Sequence, residues 1–376
     1  MTDSPGEPTA PDPPPEIPPA EPPPLVLPAA GLVDDAPIVR RVPRRRSKPP
    51  GPNFLQSVGW AVVLFGTQAM VAVFLMLVLR PLLAGRGEEA VLTAVAVAAA
   101  AATTTTLVVA LSITAVLYGR DAWRAFAVRL PAARHAGLVL LLNVPLLFVV
   151  LTLLTWIVAG YQWLGILRGG GGGLDAISRA VGQSTSWSGL LAVAVFGGLV
   201  PAVGEELFFR GFLGRGLVAG LGRTAGVLVT SVLFGLIHLH PVQSLTAVVL
   251  GVVLHLVYLW TRSLVAPILL HAVHNWLVLF LSIAAQNGFA GVPARDSLPT
   301  ALTIASFLAA GGVLFLLSRC RTVWERPNGS NWMPGYVTAE SPPPDLGATP
   351  VCRPAGVGVV VGVAVLYAAF VGVLVW

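Results

Sequence analysis

Glu205 and Glu206 are the only two acids of this chain set inside a hydrophobic segment, and Arg210 follows them one helical turn later. The remaining Asp and Glu residues lie in tails and loops. An ionisable side chain at mid-bilayer costs about 2.5–3.5 kcal/mol on insertion scales. Two adjacent carboxylates placed there point to chemistry or transport. Two further apolar segments carry imidazoles. One reads Phe234-Gly-Leu-Ile-His238 and continues to His240; the other reads His271-Ala-Val-His274-Asn275. On helices, Glu206 and Arg210 share a face at i,i+4, so Arg210 neutralises Glu206 and leaves Glu205 free. His271 and Asn275 share a face in the same way. Each of these groups needs a partner in hydrocarbon. Three helices converging on one wet polar cavity would supply all of them.

A carboxylate and an imidazole can orient and deprotonate water, and a second imidazole with a carboxamide can donate to the oxyanion of a tetrahedral intermediate. That set suits amide hydrolysis by activated water. No Ser, Cys or Lys occupies a comparable place as a nucleophile. The same Glu and His set could also ligate zinc and lower the pKa of its bound water, so a divalent metal stays open at this point. His240 and His255 are read as ordinary helix–helix hydrogen-bonding groups, and His274 is set aside.

The positioning elements follow from composition. The 376 residues are 55% hydrophobic and 11% charged, with a mean hydropathy of +0.80. This excludes an ordinary soluble globule and predicts an all-α polytopic membrane bundle of eight to nine spans. Apolar runs fall at 57–80, 90–118, 136–160, 188–213, 223–240, 243–261, 264–285, 300–318 and 356–376, with the pair around Pro241 the least regular. The net charge of +6 is no sign of nucleic-acid binding, because the basic residues sit at the ends of apolar runs. Their asymmetry predicts a cytosolic N-terminus in an integral cell-membrane protein and leaves the C-terminus outside.

Four regions are expected. Residues 1–53 form a disordered, Pro-rich cytosolic tail. Residues 54–318 form the membrane bundle, 319–355 a polar cytosolic loop, and 356–376 an additional C-terminal transmembrane helix. Cys320 and Cys352 are expected as free thiols. The loop 161–187 carries Gly169 to Gly173 and reads as a flexible connector. Gly197, Gly198, Gly204 and Pro201 are expected to permit close packing or a kink beside the carboxylates.

Glu205-Glu206-x-x-x-Arg210, Phe234-x-x-x-His238 and His271-x-x-x-Asn275 together resemble the three ordered motifs of the CPBP family, the CAAX-protease and bacteriocin-processing membrane proteins. The resemblance covers about 185–285. It implies an intramembrane endopeptidase in which Glu205 is the general base and His238 its partner. Glu206 and Arg210 would orient the first motif, and His271 and Asn275 would form the oxyanion site. The family is commonly classed as metalloprotease. The metal-free reading is favoured here, because the spans hold no HExxH and a carboxylate neutralised by Arg is a poor metal ligand. The substrate would be a peptide or protein, lipid-modified or not, met in the bilayer; no nucleic acid is involved. The competing readings are a non-catalytic bacteriocin-immunity or scaffold protein of the same fold, and a proton-coupled transporter. One feature fits awkwardly. On these span limits His238 lies at the outer end of the fifth helix, away from Glu205 and His271.

Overall fold

The computed structural model describes residues 50–165, 179, 182, 186–238, 240–287 and 298–375. The chain divides into Met1–Ser47 and Lys48–Trp376, and every described residue belongs to the second unit. The Pro-rich tail therefore lies outside the described residues except for its last few positions, as does nearly all of the Gly-rich stretch after residue 165.

The helices are α1 (Phe54–Leu83), α2 (Glu88–Leu117), α3 (Ala133–Trp163), α4 (Trp187–Leu221), α5 (Arg223–Leu236), α6 (Pro241–Thr261), α7 (Val265–Gln286), α8 (Thr300–Arg319) and α9 (Val357–Val375). Among the described residues, eight are long and apolar enough to cross a membrane. α5 is the exception at 14 residues. It rises only about 21 Å against a hydrocarbon core of about 30 Å. The apolar run continues past it, but the helix stops because Pro241 biases the residue before it away from helical geometry.

Local chemistry sets the helix ends. Asn53 and Gln56 form a reciprocal capping box at the start of α1, with bonds of 2.9 and 3.0 Å. Gly222 turns the chain between α4 and α5 at φ 85°, in the left-handed region open to glycine. Pro241 opens α6, where its missing N–H would be unpaired anyway. α4, α5 and α6 form successive antiparallel hairpins. Gly226 of α5 packs on the backbone of Val218 in α4, Gly235 packs on Ser244, and Gly251 packs on Ser231. Arg262, beyond the end of α6, thus lies at the same end of the bundle as Gly222.

α4 passes close against α2. A Cβ built on Gly204 would stand 2.7 Å from the backbone nitrogen of Leu107, which cannot swing aside. Gly204→Ala should therefore force the two helices apart and lower stability by about 1–3 kcal/mol. A thermal-unfolding midpoint in detergent equal to that of the parent would contradict this packing. Gly197 and Gly198 meet α7 instead, against Leu279 and the indole of Trp276.

The segment between α8 and α9 carries structure that its composition did not announce. β1 (Thr322–Glu325) pairs antiparallel with β2 (Asn331–Trp332) on one side and β3 (Thr349–Cys352) on the other. Between β2 and β3, Glu340 pairs with both Arg124 and Arg215, and Arg215 lies near the end of α4. Arg215 also donates to the Pro50 carbonyl at 3.2 Å, so the end of the N-terminal tail and the 319–355 segment meet on one arginine. Cys320 and Cys352 are free. α9 docks through Tyr367, whose hydroxyl donates to the Leu141 carbonyl at 3.0 Å, and through Phe370 against Phe148.

Candidate active site

α4 carries the first motif and is not a uniform α-helix. Its turns widen to i→i+5 bonding over Val193–Leu199 and again over Glu206–Leu213. Such widening leaves backbone groups to be satisfied elsewhere and often accompanies functional sites. In the first widened stretch the Trp276 indole N–H donates to the Ala194 carbonyl at 2.7 Å, in the space that Gly198 leaves open. The second begins at Glu206 itself and carries Arg210.

Glu206 and Arg210 are both fully buried, with Arg210 Nη1 donating to Glu206 Oε1 at 2.7 Å. Arg210 Nη2 reaches across to α6 and donates to the Gly251 carbonyl at 3.0 Å. Its guanidinium lies over the Phe234 ring, 4.5 Å from the centroid. From α7, His271 Nδ1 lies 3.0 Å from Glu206 Oε1, and His271 Nε2 lies 3.8 Å from Glu205 Oε2. The first distance is a hydrogen bond; the second is too long for one. A single imidazole thus stands between the two adjacent glutamates, with Glu205 and His271 both buried. Glu206 Oε2 and Arg210 Nε have no partner among the described residues.

The structure brings Glu205, Glu206, Arg210 and His271 into one ionic cluster and places His238 beside it. His238 Nδ1 lies 2.9 Å from the Phe234 carbonyl. Its ring meets Phe234 edge-on at 5.2 Å, and His271 meets the same ring at 5.9 Å. The two imidazoles therefore flank one phenyl ring. The separation that the span limits implied is thus largely closed, with both imidazoles against Phe234. No hydrogen bond or ion pair joins His238 to Glu205 among the described residues. Asn275 lies one turn beyond His271, half-buried, with no hydrogen bond among the described residues.

Two contributors had no role assigned from sequence: Phe234, which stood there only as a motif position, and Gly251, which was not noted. Phe234 is the wall shared by Arg210, His238 and His271. Gly251 offers its carbonyl to Arg210 because nothing projects from its Cα; a Cβ there would meet Phe234 and Ser231 at 3.1 Å. A glycine in mid-span at a helical interval from His255 was the available signal. His274 and His255 are buried, each with an Nδ1 that has no hydrogen-bond partner among the described residues.

Three of the donors that could take a metal are Glu205, Glu206 and His271. Glu206 Oε1 is already held by Arg210 and His271, and His271 Nδ1 is committed to Glu206. Among the described residues no three His, Cys, Asp or Glu side chains are grouped to hold a metal ion. The donor set fits a metal poorly.

A polytopic helical membrane protein with a buried carboxylate–imidazole cluster is, as a class, a candidate intramembrane hydrolase. Residues 187–277 match the family described as "Type II CAAX prenyl endopeptidase Rce1-like", so that stretch is similar to the CAAX proteases. The match spans every motif residue from Glu205 to Asn275 and implies protease activity at the family level. Neither a curated protein nor a solved structure matches the chain.

Proposed function

We propose that this protein is an intramembrane endopeptidase that cleaves a peptide or protein substrate, lipid-modified or not, with a water activated by Glu205 and without a metal. The observation that carries the reading is the position of His271 between Glu205 and Glu206, inside a cluster whose two carboxylates can be balanced by Arg210 and one imidazolium. A buried ionic group persists only when its charges and hydrogen bonds are matched.

Partner chemistry assigns the protons. A carbonyl only accepts, so the bond to Phe234 places a hydrogen on His238 Nδ1 and leaves Nε2 as an acceptor. His238 Nε2 is then suited to hold one hydrogen of the attacking water while Glu205 takes the other. Glu206 likewise only accepts, so His271 carries a hydrogen on Nδ1, and as imidazolium it also presents Nε2–H. That donor and the Asn275 carboxamide stabilise the oxyanion formed when the water oxygen bonds to the carbonyl carbon. As the intermediate collapses, the C–N bond breaks and Glu205 returns its proton to the leaving amine. Arg210 and Glu206 touch no reacting atom; they orient His271.

Two measurements test this reading. His238→Ala should lower kcat by at least about 10²-fold without loss of folded protein, since the imidazole's bond is to its own helix end. Cleavage at the parental rate would remove His238 from the water site. Exhaustive treatment with a divalent-metal chelator should leave cleavage of a lipid-anchored reporter peptide in proteoliposomes intact. Loss of activity restored by zinc would establish the metal mechanism instead.

A further inference from the structure

At the end of the bundle that holds Gly222, two arginines are held side by side without an acid. The loop after α6 is stapled to residues 126–130 by four bonds. The Leu264 N–H donates to the Ala127 carbonyl at 2.9 Å and the Ser263 hydroxyl to the Arg129 carbonyl. Arg129 Nη2 donates to the Thr261 carbonyl at 2.8 Å, and the Tyr258 hydroxyl to the Phe126 carbonyl at 3.0 Å. Thr261 and Ser263 flank Arg262, so these bonds fix Arg129 against it. Ala127 and Arg262 are the only non-glycine residues with positive φ among the described residues, at 52° and 47°. The junction is held in one geometry despite that strain.

The β-sheet segment closes this junction. The Arg129 guanidinium lies over the Trp324 ring of β1, 5.1 Å from the centroid. Arg129 Nε, Arg262 Nη1 and Trp324 Nε1 are all buried without a hydrogen-bond partner among the described residues. Neither arginine has an acidic partner among the described residues. Both are half-buried, so each keeps an open side. Burial, and then the neighbouring Arg262 charge, pull the Arg129 guanidinium down to about 10. Two like charges with unpaired donors are destabilising in isolation and are relieved by an anion. A cationic site next to the last turn of a membrane-crossing helix lies at headgroup depth.

We propose that Arg129 and Arg262, closed by Trp324, form a binding site for a phosphate group, carried by an anionic phospholipid headgroup or by a free phosphate. Arginine suits the role because its planar fork of donors matches phosphate oxygens. The site lies apart from the glutamate cluster and does not depend on the proposed hydrolysis.

The test is calorimetric titration of the full-length chain in neutral detergent with three probes: dihexanoyl phosphatidylglycerol, dihexanoyl phosphatidylcholine and inorganic phosphate. Single-site binding of phosphatidylglycerol is expected, weakened at least about tenfold by Arg262→Gln. Arg120→Gln, which removes an exposed charge elsewhere, should stay close to the parent. Binding of inorganic phosphate as strong as that of the lipid, with the same loss in Arg262→Gln, would support the site with free phosphate as its ligand. If neither probe binds, or if Arg262→Gln and Arg120→Gln weaken binding equally, the site does not exist. Arg262→Gln is the deciding variant because Arg129→Gln also removes the bond to Thr261 and could unfold the junction.

Discussion

Glu205→Gln should abolish peptide hydrolysis while the protein inserts and folds as before. The substitution keeps the size of the side chain and removes the carboxylate proposed to take a proton from the attacking water. Loss of a general base costs up to about 10⁴-fold in rate. The fold is expected to survive because Glu205 makes no direct hydrogen bond among the described residues; the imidazole of His271 is 3.8 Å away. The measurement is single-turnover cleavage of a lipid-anchored peptide in proteoliposomes, with thermal unfolding of the same preparations as the control for folding. Residual cleavage within tenfold of the parent would move the base to another residue. Unfolding of the variant would make Glu205 a structural group instead.

Arg210→Met should behave in the opposite way, damaging the fold first. Glu206 would keep its charge in a site with no solvent exposure and lose its 2.7 Å partner. Breaking one side of a buried pair costs about 3–5 kcal/mol. The double variant Glu206→Leu/Arg210→Met should recover most of that loss, since replacing both members with apolar groups removes the uncompensated charge. It should nevertheless remain inactive, because His271 then lacks the acceptor that holds its Nδ1. Stability measured across the four proteins of this cycle separates the two effects. A single variant as stable as the parent would show that Glu206 is not left buried and unpaired. A fully active double variant would show that the pair does not orient His271.

The contrast between these neighbours explains how far the sequence could be read. Adjacent acids in an apolar run, an arginine four residues on, and histidines in two later runs were legible because charge in hydrocarbon is expensive and therefore conspicuous. Their meeting was inferable for the same reason. The partners inside the cluster were not. Spacing on ideal helices said nothing of which imidazole would bond to which carboxylate, because that depends on the rotation of α7 against α4. The widened turns of α4 bear on that rotation, and the first of them is met by Trp276, whose indole bonds to the Ala194 carbonyl. Gly251 escaped notice, and Phe234 stood only as a motif position without a role, because a backbone carbonyl and an apolar ring carry no charge to betray them.

The same division holds for the outer parts of the chain. Hydropathy alone determined a helical membrane protein and located eight crossing helices to within a few residues, with α4 running several residues further, since lipid permits no other way to satisfy the backbone. The shortness of α5, which carries His238 toward the cluster, followed from Pro241 and was partly readable. Only the tertiary structure decided that residues 319–355 fold into a sheet segment pinned by Glu340 to Arg124 and Arg215, and that Arg129 stands against Arg262. Periodicity reports which face of an element is apolar. Pairing between distant polar groups depends on the angles and depths at which whole helices pack, and a linear pattern does not encode those.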